Sequence, residues 1–473
     1  MRSIVIHGHF YQPPRDDPRL GTIPREASAA PYHDWNERIE RECYAPVAAS
    51  LASLSFDFGS TLLAWMERYA PETYAAVLAA DRASAARHAG HGNAIGMPYH
   101  HTILPLSSRR DKETEVRWGI ADFRRRFGRE PEGMWLPETA VDDETLDVLA
   151  AEGIGFTILA PHQVERVPAG GRPGWHRTAR GRRIAVFLYD GALSHDVAFG
   201  PLVRDPDAWI ERLTAREGGN DGSADAPEVV AIATDGETFG HHHRDGAVTL
   251  ARVLDALNRR SDVLVDNFAA FLARHPPQED VRLVAPSSWS CPHGVERWRS
   301  DCGCRVHADR ATHQRWRAPF RSALDWLAVE LHGVFEREGG SVFADPWAAR
   351  DAYGTVLGAP DGAVTRFLGE RLRRPDDRGA LARAHQLLEL ERHALRMFTS
   401  CGWFFDDVAG LESLIVLRSA ARAIELAGSD AARLEAGLLE RLALAQSNDP
   451  AVGSGRELYV QGVKAVPAPG VPT

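Results

Sequence analysis

The sequence predicts an α/β protein, with a domain of parallel strands and helices over residues 1–310 and an α-helical bundle over residues 311–473. Two observations support this prediction. Short apolar runs alternate with amphipathic segments through about residue 305, which is typical of parallel strands joined by crossover helices. After residue 310, apolar residues recur only at helical spacing. The alternation fits either an open sheet or a barrel, and both alternatives stay open at this point.

The composition limits the classes of function. The formal net charge is −10 and no basic cluster offsets it, so we expect no nucleic-acid partner. No run is apolar for long enough to cross a bilayer, so we expect no membrane association. The first residues lack the apolar core of a signal peptide, and five cysteines are too few for a disulfide scaffold. We therefore expect a cytoplasmic protein, and the sequence does not indicate its oligomeric state.

The elements of the first domain follow in order along the chain. Short apolar runs predict strands at 3–7, 132–136, 154–159, 183–189, 228–235 and 280–285. Apolar residues at helical spacing predict helices at 112–127, 142–153, 205–217 and 246–260. Between the last two helices, the segment 217–227 has the composition of a surface loop.

The second domain is predicted from four amphipathic segments without intervening strands. They span residues 313–338, 379–398, 410–426 and 430–446. Together they indicate a helical bundle. The last residues, 465–473, contain several prolines and are predicted to be frayed or extended.

Unusual polar segments follow the predicted strands, where the reacting groups of α/β sheets and barrels gather. These segments are "HGHFYQPPRDDP" (7–18), "WLPETAVD" (135–142), "TDGETFGHHH" (234–243) and "PSSWSCPHGVERW" (286–298). Their convergence on one predicted face is stronger evidence than any one of them. The sequence therefore predicts a functional site at the carboxyl ends of the strands.

Three acidic residues lie at these strand ends. Glu138 follows Trp135 closely, and it either supports the N-terminus of the next helix or presents a carboxylate to a pocket. Asp235 and Glu237 end a buried apolar run, where carboxylates are costly unless they are paired, metal-bound or chemically employed. A salt bridge or a turn cap is the structural alternative for them. Two carboxyl groups about 5–5.5 Å apart would suit a retaining glycosidase.

Histidines accompany these carboxylates. His7 and His9 alternate along the first predicted strand, so their side chains point the same way. Together with His241, His242 and His243 they predict a polar pocket that binds a sugar or holds a metal. A histidine that is simply buried and hydrogen-bonded is the structural alternative.

Cysteines and aromatic residues mark the later segments. Cys291, His293, Cys302 and Cys304 are of zinc-binding types, but their Cys-Pro-His and Cys-Gly-Cys arms are tighter than the usual C-x₂₋₄-C spacing. We therefore favour free packed thiols, and expect neither a metal nor a cofactor. Trp403 lies in "GWFFDD" between two predicted helices, where it is either a core residue or a platform for a sugar ring.

Five motifs in order make the chain resemble glycoside hydrolase family 57. They are "HGHFYQPP", "GHGNAIGMPYHHTILPL", "GMWLPE", "TDGETFGHH" and "SSWSCPHGVERW", between residues 7 and 298. The "SCPHG" and "FTSCGWFFDD" segments further resemble a less characterised bacterial branch with an appended helical domain. The resemblance implies an incomplete (β/α)7 barrel, whose cleft the helical domain completes. It also implies a retaining enzyme that hydrolyses or transfers α-glucans such as starch or glycogen.

The resemblance implies roles for individual residues. Glu138 is implied as the catalytic nucleophile and Asp235 as the general acid/base. The side chains expected to bind substrate are His7, His9, Gln12, Trp135, Glu237, His241, Trp289, His293, Trp298 and Trp403. One departure is Asn93, which stands where the second motif of the family usually carries a glutamate. This departure concerns the sugar contacts of the first subsite.

Two other functions stay open at this point. A metal-dependent polysaccharide deacetylase or mannosidase-like enzyme would bind zinc through His7, His9, Asp235 and one of the histidines at 241–243. Metal content and chelator sensitivity distinguish that alternative. A catalytically silent glucan-binding protein would keep the cleft without turnover, but the presence of both implied catalytic carboxylates argues against it. The sequence does not choose between hydrolysis, disproportionation and branching.

Overall fold

The computed structural model of the chain describes residues 2–215, 228–374 and 377–464. The predicted surface loop 217–227 and the predicted frayed tail 465–473 lie outside the described residues. The chain forms two compact units, each built from segments that are separated in sequence. The first unit contains Met1–Gln12, Arg25–Pro98 and Phe123–Trp289, and the second contains Pro13–Pro24, Tyr99–Asp122 and Ser290–Thr473.

The strands of the described residues all lie in the first unit. They are β1 (Arg2–Phe10), β2 (Ser55–Phe58), β3 (Phe156–Leu159), β4 (Gly174–Arg177), β5 (Arg183–Leu188), β6 (Val229–Asp235) and β7 (Val263–Val265). The fully buried strand β1 pairs in parallel with β6, with β7 along its first residues and with β2 along its last. In a second sheet, β5 pairs in parallel with β3 and antiparallel with β4.

Isolated parallel pairs continue the row of strands between β2 and β3. These pairs are Phe56 with Ala94, Gly96 with Met134, and Gly133 with Phe156. Just after β5, the N–H group of Asp190 donates a 2.7 Å hydrogen bond to the carbonyl of Ala231 in β6. Parallel segments therefore follow one another from β6 through β1 and β2 to β5.

Four predicted strands, at 3–7, 154–159, 183–189 and 228–235, are confirmed as β1, β3, β5 and β6. The predictions of strands at 132–136 and 280–285 are wrong, because these segments form only isolated pairs. A proline directly follows each segment, Pro137 after the first and Pro286 after the second. Proline cannot donate the backbone hydrogen bond that would extend a strand ladder.

Helices make up much of the described part of both units. In chain order the α-helices are α1 (Trp35–Ile39), α2 (Ala45–Val47), α3 (Ser60–Tyr69), α4 (Pro71–Arg87), α5 (Arg109–Phe127), α6 (Asp143–Ala151), α7 (Gly191–Ala198), α8 (Pro206–Thr214), α9 (Gly246–Asn258), α10 (Phe268–Arg274), α11 (Arg317–Val342), α12 (Pro346–Tyr353), α13 (Asp361–Gly369), α14 (Arg378–Arg396), α15 (Cys401–Phe404), α16 (Leu411–Leu426), α17 (Ala431–Leu442) and α18 (Gly455–Tyr459). The predicted helices correspond to α5, α6, α8, α9, α11, α14, α16 and α17. Among the described residues, no helix is both long and apolar enough to span a membrane.

The second unit packs α11, α14, α16 and α17 against one another, and it also contains a buried ion-pair network. Arg350 of α12 is fully buried and donates to Asp111 and to Glu391, both at 2.8 Å. Burial lowers the pKa of His332, but Glu391 and Asp111 outweigh burial and raise that pKa to about 10. Because the members pair with one another, their charges are compensated inside the unit.

Candidate active site

Three polar side chains lie abreast at the carboxyl ends of neighbouring strands. The strand register pairs His9 of β1 with Asp57 of β2 and with Asp235 of β6. Side chains of residues in register point to the same face of a parallel sheet. Asp57, His9 and Asp235 therefore form one layer, and His7 lies in the next layer below.

Asp57 joins the two predicted histidines. Its carboxylate oxygens lie 3.0 Å from Nε2 of His7 and 2.8 Å from Nδ1 of His9. The other ring nitrogen of His7 lies 3.0 Å from the Ser55 hydroxyl. His7 and Asp57 are fully buried, whereas His9 is 5% exposed. His7 is therefore placed to orient Asp57, and we do not expect it to touch a sugar.

The charges in this layer are coupled. Burial lowers the pKa of His9, but Asp57, Asp235 and Glu237 outweigh burial and raise it to about 9. For His7 burial prevails, so its pKa is lowered despite Asp57. Burial raises the pKa of Asp57, but the two histidines outweigh burial and lower it. At neutral pH, His9 is therefore a cation bound to an ionised Asp57.

Asp235 ends β6 and is exposed to solvent, although the neighbouring protein removes part of its hydration. The lost hydration raises its pKa, Asp57 adds to the rise, and His9 opposes it. The side chain makes no capping hydrogen bond to the 3₁₀ turn Gly236–Phe239 that follows, so the interpretation of Asp235 as a turn cap is wrong. A raised pKa makes a carboxyl group better able to keep a proton and deliver it to a ligand than an ordinary aspartic acid.

Glu237 lies beyond Asp235 in a more enclosed place. It is 6% exposed and accepts a 2.5 Å hydrogen bond from the Tyr44 hydroxyl. Burial raises its pKa to about 7, and Asp235 adds to this effect. Glu237 and Asp235 are therefore close enough for their charges to interact.

Glu138 has a strained backbone. Its φ is 58° and that of Thr139 is 48°, in the left-handed region that costs a non-glycine residue about 1–2 kcal/mol. The indole N–H of Trp289 donates to Oε2 of Glu138 at 3.0 Å, and the Trp289 backbone N–H donates to the Glu138 carbonyl at 3.1 Å. Helix α6 is instead capped by Asp142, which accepts from the N–H of Thr145. Strain at a residue not needed as a cap is typical of a functional site.

Aromatic rings surround these polar groups within the first unit. Trp135 is fully buried, and the rings of His7 and His9 stack on it at 4.8 and 5.3 Å between centroids. The edge of Trp289 meets Trp135 at 5.1 Å. Tyr189, just after β5, lies 6.4 Å from Trp289, and its pKa is raised by burial and by Asp235. Tyr189 therefore belongs to the same site.

Two further predicted residues lie in the first unit. Gln12 is half-buried, two residues past the end of β1. Nδ1 of His241 lies 2.5 Å from a carboxylate oxygen of Glu42, and its ring meets the face of Trp35 edge-on at 5.8 Å. These contacts hold His241 in place.

Asn93 is used structurally rather than being open to a ligand. It is 1% exposed, its side-chain amide donates to the carbonyl of Leu51, and its Oδ1 accepts from Asn267, both at 3.1 Å. The departure from the glutamate of the second motif is thus accommodated by local hydrogen bonds.

Three predicted substrate contacts lie in the second unit. His293 is exposed, with Nδ1 3.6 Å from the sulfur of Cys304. Trp298 is fully buried, and Trp403 is 1% exposed, with its ring against Phe320 and Phe398. Since neither tryptophan ring has an open face, the prediction that Trp403 forms a sugar platform is not supported. We leave both tryptophans out of the proposed sugar subsite.

Three residues of the site were not predicted from the sequence: Asp57, Tyr44 and Tyr189. Asp57 had a usable signal, since "SFDF" is a short alternating segment that a glycine follows. Tyr44 and Tyr189 had none, because their roles depend on neighbours that are distant in sequence.

The strand-end histidines do not form a metal-ligand group. Within the part of the chain that the structure describes, three or more metal-ligating side chains converge at one place, formed by Cys291, His293, Cys302 and Cys304. The interpretation of His7, His9 and Asp235 as zinc ligands is therefore not supported.

Comparison with known protein families assigns the chain to one of them. Residues 33–283 match the family described as glycosyl hydrolase family 57, and residues 312–468 match a domain of unknown function, DUF3536. The first match covers more than half of the chain, so the chain belongs to glycoside hydrolase family 57. This membership confirms the resemblance inferred from the five motifs.

Individual relatives are distant in sequence. α-Amylase 1 of Dictyoglomus thermophilum is 24% identical over 191 residues, which are 40% of this chain and only 26% of that protein. An exo-type maltose-forming amylase from Pyrococcus sp. ST04 superposes with a TM-score of 0.75 at 16% identity, covering 93% of this chain and 83% of that one. A GH57-type branching enzyme from Pyrococcus horikoshii superposes with a TM-score of 0.59 at 16% identity, covering 100% of this chain and 98% of that one. The structural likenesses show a shared fold.

Proposed function

We propose that this chain is a retaining enzyme that hydrolyses or transfers α-glycosidic bonds in α-glucans, with Glu138 as nucleophile and Asp235 as general acid/base. The observation that carries the proposal is the difference between these two carboxyl groups. Asp235 has a raised pKa and so keeps a proton more readily than an ordinary aspartic acid, whereas Glu138 accepts an N–H hydrogen bond from Trp289, which stabilises a carboxylate. The amylases and the branching enzyme that resemble this chain support α-glucans as the substrate class.

The proposed reaction has two displacements. In the first, Glu138 attacks the anomeric carbon while Asp235 gives its proton to the departing oxygen, which leaves a glycosyl ester on Glu138. In the second, Asp235 takes a proton from water or from a sugar hydroxyl, and that oxygen displaces Glu138. Two inversions restore the original anomeric configuration.

The residues around the carboxyl groups have supporting roles in this proposal. The Asp57–His9 ion pair places a positive charge in register with Asp235, which limits how far the pKa of Asp235 rises. The negative charge of Asp57 acts in the opposite direction and raises that pKa. Trp289 orients Glu138, and together with His9, Gln12 and Tyr189 it lines the proposed sugar subsite.

We further propose that the parallel segments close into the incomplete (β/α)7 barrel that the family resemblance implies. The row β6, β1, β2, residues 94–96, residues 133–134, β3 and β5 supplies seven parallel segments. The hydrogen bond from Asp190 to Ala231 joins the last segment to the first. A curved sheet of this kind would bring Glu138 toward Asp235, as the retaining mechanism needs.

Azide rescue with 4-nitrophenyl α-maltoside tests the two roles separately. In Asp235→Ala, the good leaving group needs no proton, so the ester on Glu138 still forms and azide displaces it. The product is the α-glycosyl azide. In Glu138→Ala, azide attacks the substrate directly from the vacated side, and the product is the β-glycosyl azide. Nuclear magnetic resonance distinguishes the two configurations.

The exposed residue Asp207 supplies a matched control. The variant Asp207→Asn should turn over the substrate at the wild-type rate, and azide should not change that rate. The same configuration from both alanine variants, or no rescue in either, would contradict the assigned roles. Wild-type protein that binds maltooligosaccharides, amylose or glycogen without turning any of them over would instead indicate a catalytically silent glucan-binding protein.

A further inference from the structure

Three cysteines and one histidine meet in the second unit, shortly after Trp289 in the chain. The sulfur of Cys291 lies 4.0 Å from that of Cys302 and 3.8 Å from that of Cys304. Nδ1 of His293 lies 3.6 Å from the Cys304 sulfur. The four potential ligand atoms all lie within 4.8 Å of one another. We call these four side chains the Cys3His cluster.

The spacing of these atoms matches a tetrahedral metal site. Zinc binds thiolate sulfur at about 2.3 Å and imidazole nitrogen at about 2.0–2.1 Å. Around one tetrahedral ion, these bonds place two sulfurs about 3.8 Å apart and a sulfur and a nitrogen about 3.6 Å apart. A disulfide would instead need about 2.05 Å between sulfurs, so the cysteines of the cluster are not paired covalently in the structure.

The local backbone explains how arms with such tight spacing can converge. Gly303, between Cys302 and Cys304, has a φ of 81°, and Gly294, just after His293, has a φ of 86°. Glycine adopts this left-handed region without the steric cost that other residues meet. The turns allow both arms to face one point despite their tight spacing in the sequence.

The surroundings of the Cys3His cluster suit negatively charged sulfurs. The buried guanidinium of Arg317 lies 3.9 Å from the Cys302 sulfur and donates to the Cys304 carbonyl at 2.9 Å. The backbone N–H groups of His293 and Arg297 bond to the sulfur of Cys291. Three thiolates around a divalent ion carry one net negative charge, which Arg317 balances. Donors of this kind orient ligands and tune metal affinity.

We propose that Cys291, His293, Cys302 and Cys304 bind one structural Zn²⁺ ion. The three thiols lose their protons to solvent on binding, and the histidine binds as a neutral imidazole. Four protein ligands leave no open position for a substrate or water, so the ion has a structural rather than a catalytic role.

The zinc site would order a larger part of the second unit. Asp406 of the "GWFFDD" segment accepts hydrogen bonds from the N–H groups of Val306 and His307, at 2.6 and 2.9 Å. Arg297 donates to the carbonyls of Phe404 and Ser290. The ion would therefore close the loop 291–304 and support its attachment to this segment.

Metal analysis of the full chain tests the proposal. Protein purified without chelators from zinc-supplemented medium should contain about one zinc per chain. The double variant Cys302→Ser with Cys304→Ser should lose this zinc, whereas Cys401→Ser, a cysteine of the same unit outside the cluster, should keep it. A zinc chelator should lower the melting temperature of the wild type and leave that of the double variant unchanged.

X-ray absorption of the wild-type protein keeps the proposal testable if the double variant does not fold. The expected zinc shell contains three sulfurs and one nitrogen. Zinc retained by a folded double variant, a shell dominated by oxygen, or wild-type protein with no zinc and with a disulfide in the loop would each overturn the proposal. None of these outcomes depends on glycosidase activity.

Discussion

Asp235 and Glu237 are two residues apart, yet they meet different neighbours. Asp235 is partly open to water and lies in register with His9, whereas Glu237 is buried against Tyr44. Burial raises the pKa of both carboxyl groups, but only Asp235 is placed to exchange a proton with a ligand. At the residue scale, access to solvent rather than residue type separates the two proposed roles.

The raised pKa of Glu237 predicts a pH-dependent stability. Its pKa is about 7 in the folded chain against an ordinary 4.5, so the folded state disfavours the ionised form. Wild-type stability should therefore fall, relative to Glu237→Gln, as pH rises from 4.5 to 7, and stay level above that. The full difference is about 3 kcal/mol of unfolding free energy. Urea unfolding of both proteins at pH 4 and pH 8 measures most of it.

The exposed carboxyl group of Glu165 in the same unit offers the control for this prediction. Glu165→Gln should follow the wild type at both pH values. If the stability of Glu237→Gln also changes with pH as that of the wild type does, Glu237 has an ordinary pKa and does not interact with Asp235 as proposed.

Part of the proposed site could be predicted from the sequence at this scale. Glu138, Asp235, His7 and His9 stand at strand ends, where unusual polar residues are visible in the sequence. Asp57 was missed, because it matters only through its register with His9 on the neighbouring strand. In the sequence, 44 residues separate the end of β1 at Phe10 from the start of β2 at Ser55. The burial of Trp403 was not predictable either, because three consecutive aromatic residues do not reveal which ring is covered.

At the scale of elements, β1 organises the site. It pairs with β2, β6 and β7, and all nine of its residues are buried. One fixed register aligns Asp57, His9 and Asp235, and a slip by one residue would turn His9 to the opposite face. The geometry of the proposed site therefore depends on close packing beside β1.

Gly236 tests that packing, since it joins β6 to the turn that carries Glu237. A Cβ atom added there would lie 2.2 Å from two ring atoms of Phe10 at the end of β1. Gly236→Ala should therefore destabilise the chain by about 1–3 kcal/mol and lower activity. Thermal unfolding and turnover of an α-glucan measure the two effects.

Gly333 in α11 provides the opposite case for the same chemical change. An added Cβ meets no atom within 4 Å, and alanine favours a helix over glycine by about 1 kcal/mol. Gly333→Ala should keep or raise the melting temperature. If Gly236→Ala is as stable and as active as the wild type, the close approach of Gly236 to Phe10 does not matter for the site.

Sequence patterns predicted long elements better than short ones. The amphipathic helices and the four apolar strands have strong periodic signals. Strand β2 contains Ser55 and Asp57, β7 has three residues, and β4 is the four-residue segment Gly174–Arg177, so these strands lack a clear pattern. Segments 132–136 and 280–285 looked like strands because they are apolar, but partners align with them over single pairs only.

At the scale of the whole molecule, the chain combines a glycoside hydrolase family 57 segment with a domain of unknown function. The change of pattern after residue 310 predicted two parts. It did not predict that Pro13–Pro24 and Tyr99–Asp122 belong to the second unit. Their contacts within that unit join residues that are distant in sequence, as in the ion pairs of Arg396 with Asp16 and of Arg350 with Asp111. The boundary at residue 310 stays a prediction.

Trapping the covalent intermediate tests the proposed function most directly. A 5-fluoro α-maltosyl fluoride reacts quickly because fluoride leaves easily, and the ring fluorine then slows breakdown of the ester. Intact-protein mass spectrometry should show one added glycosyl group, and peptide mapping should place it on Glu138. Glu138→Gln should stay unlabelled. A label on another carboxylate, or turnover of α-glucans with inverted configuration and no adduct, would contradict the proposed mechanism.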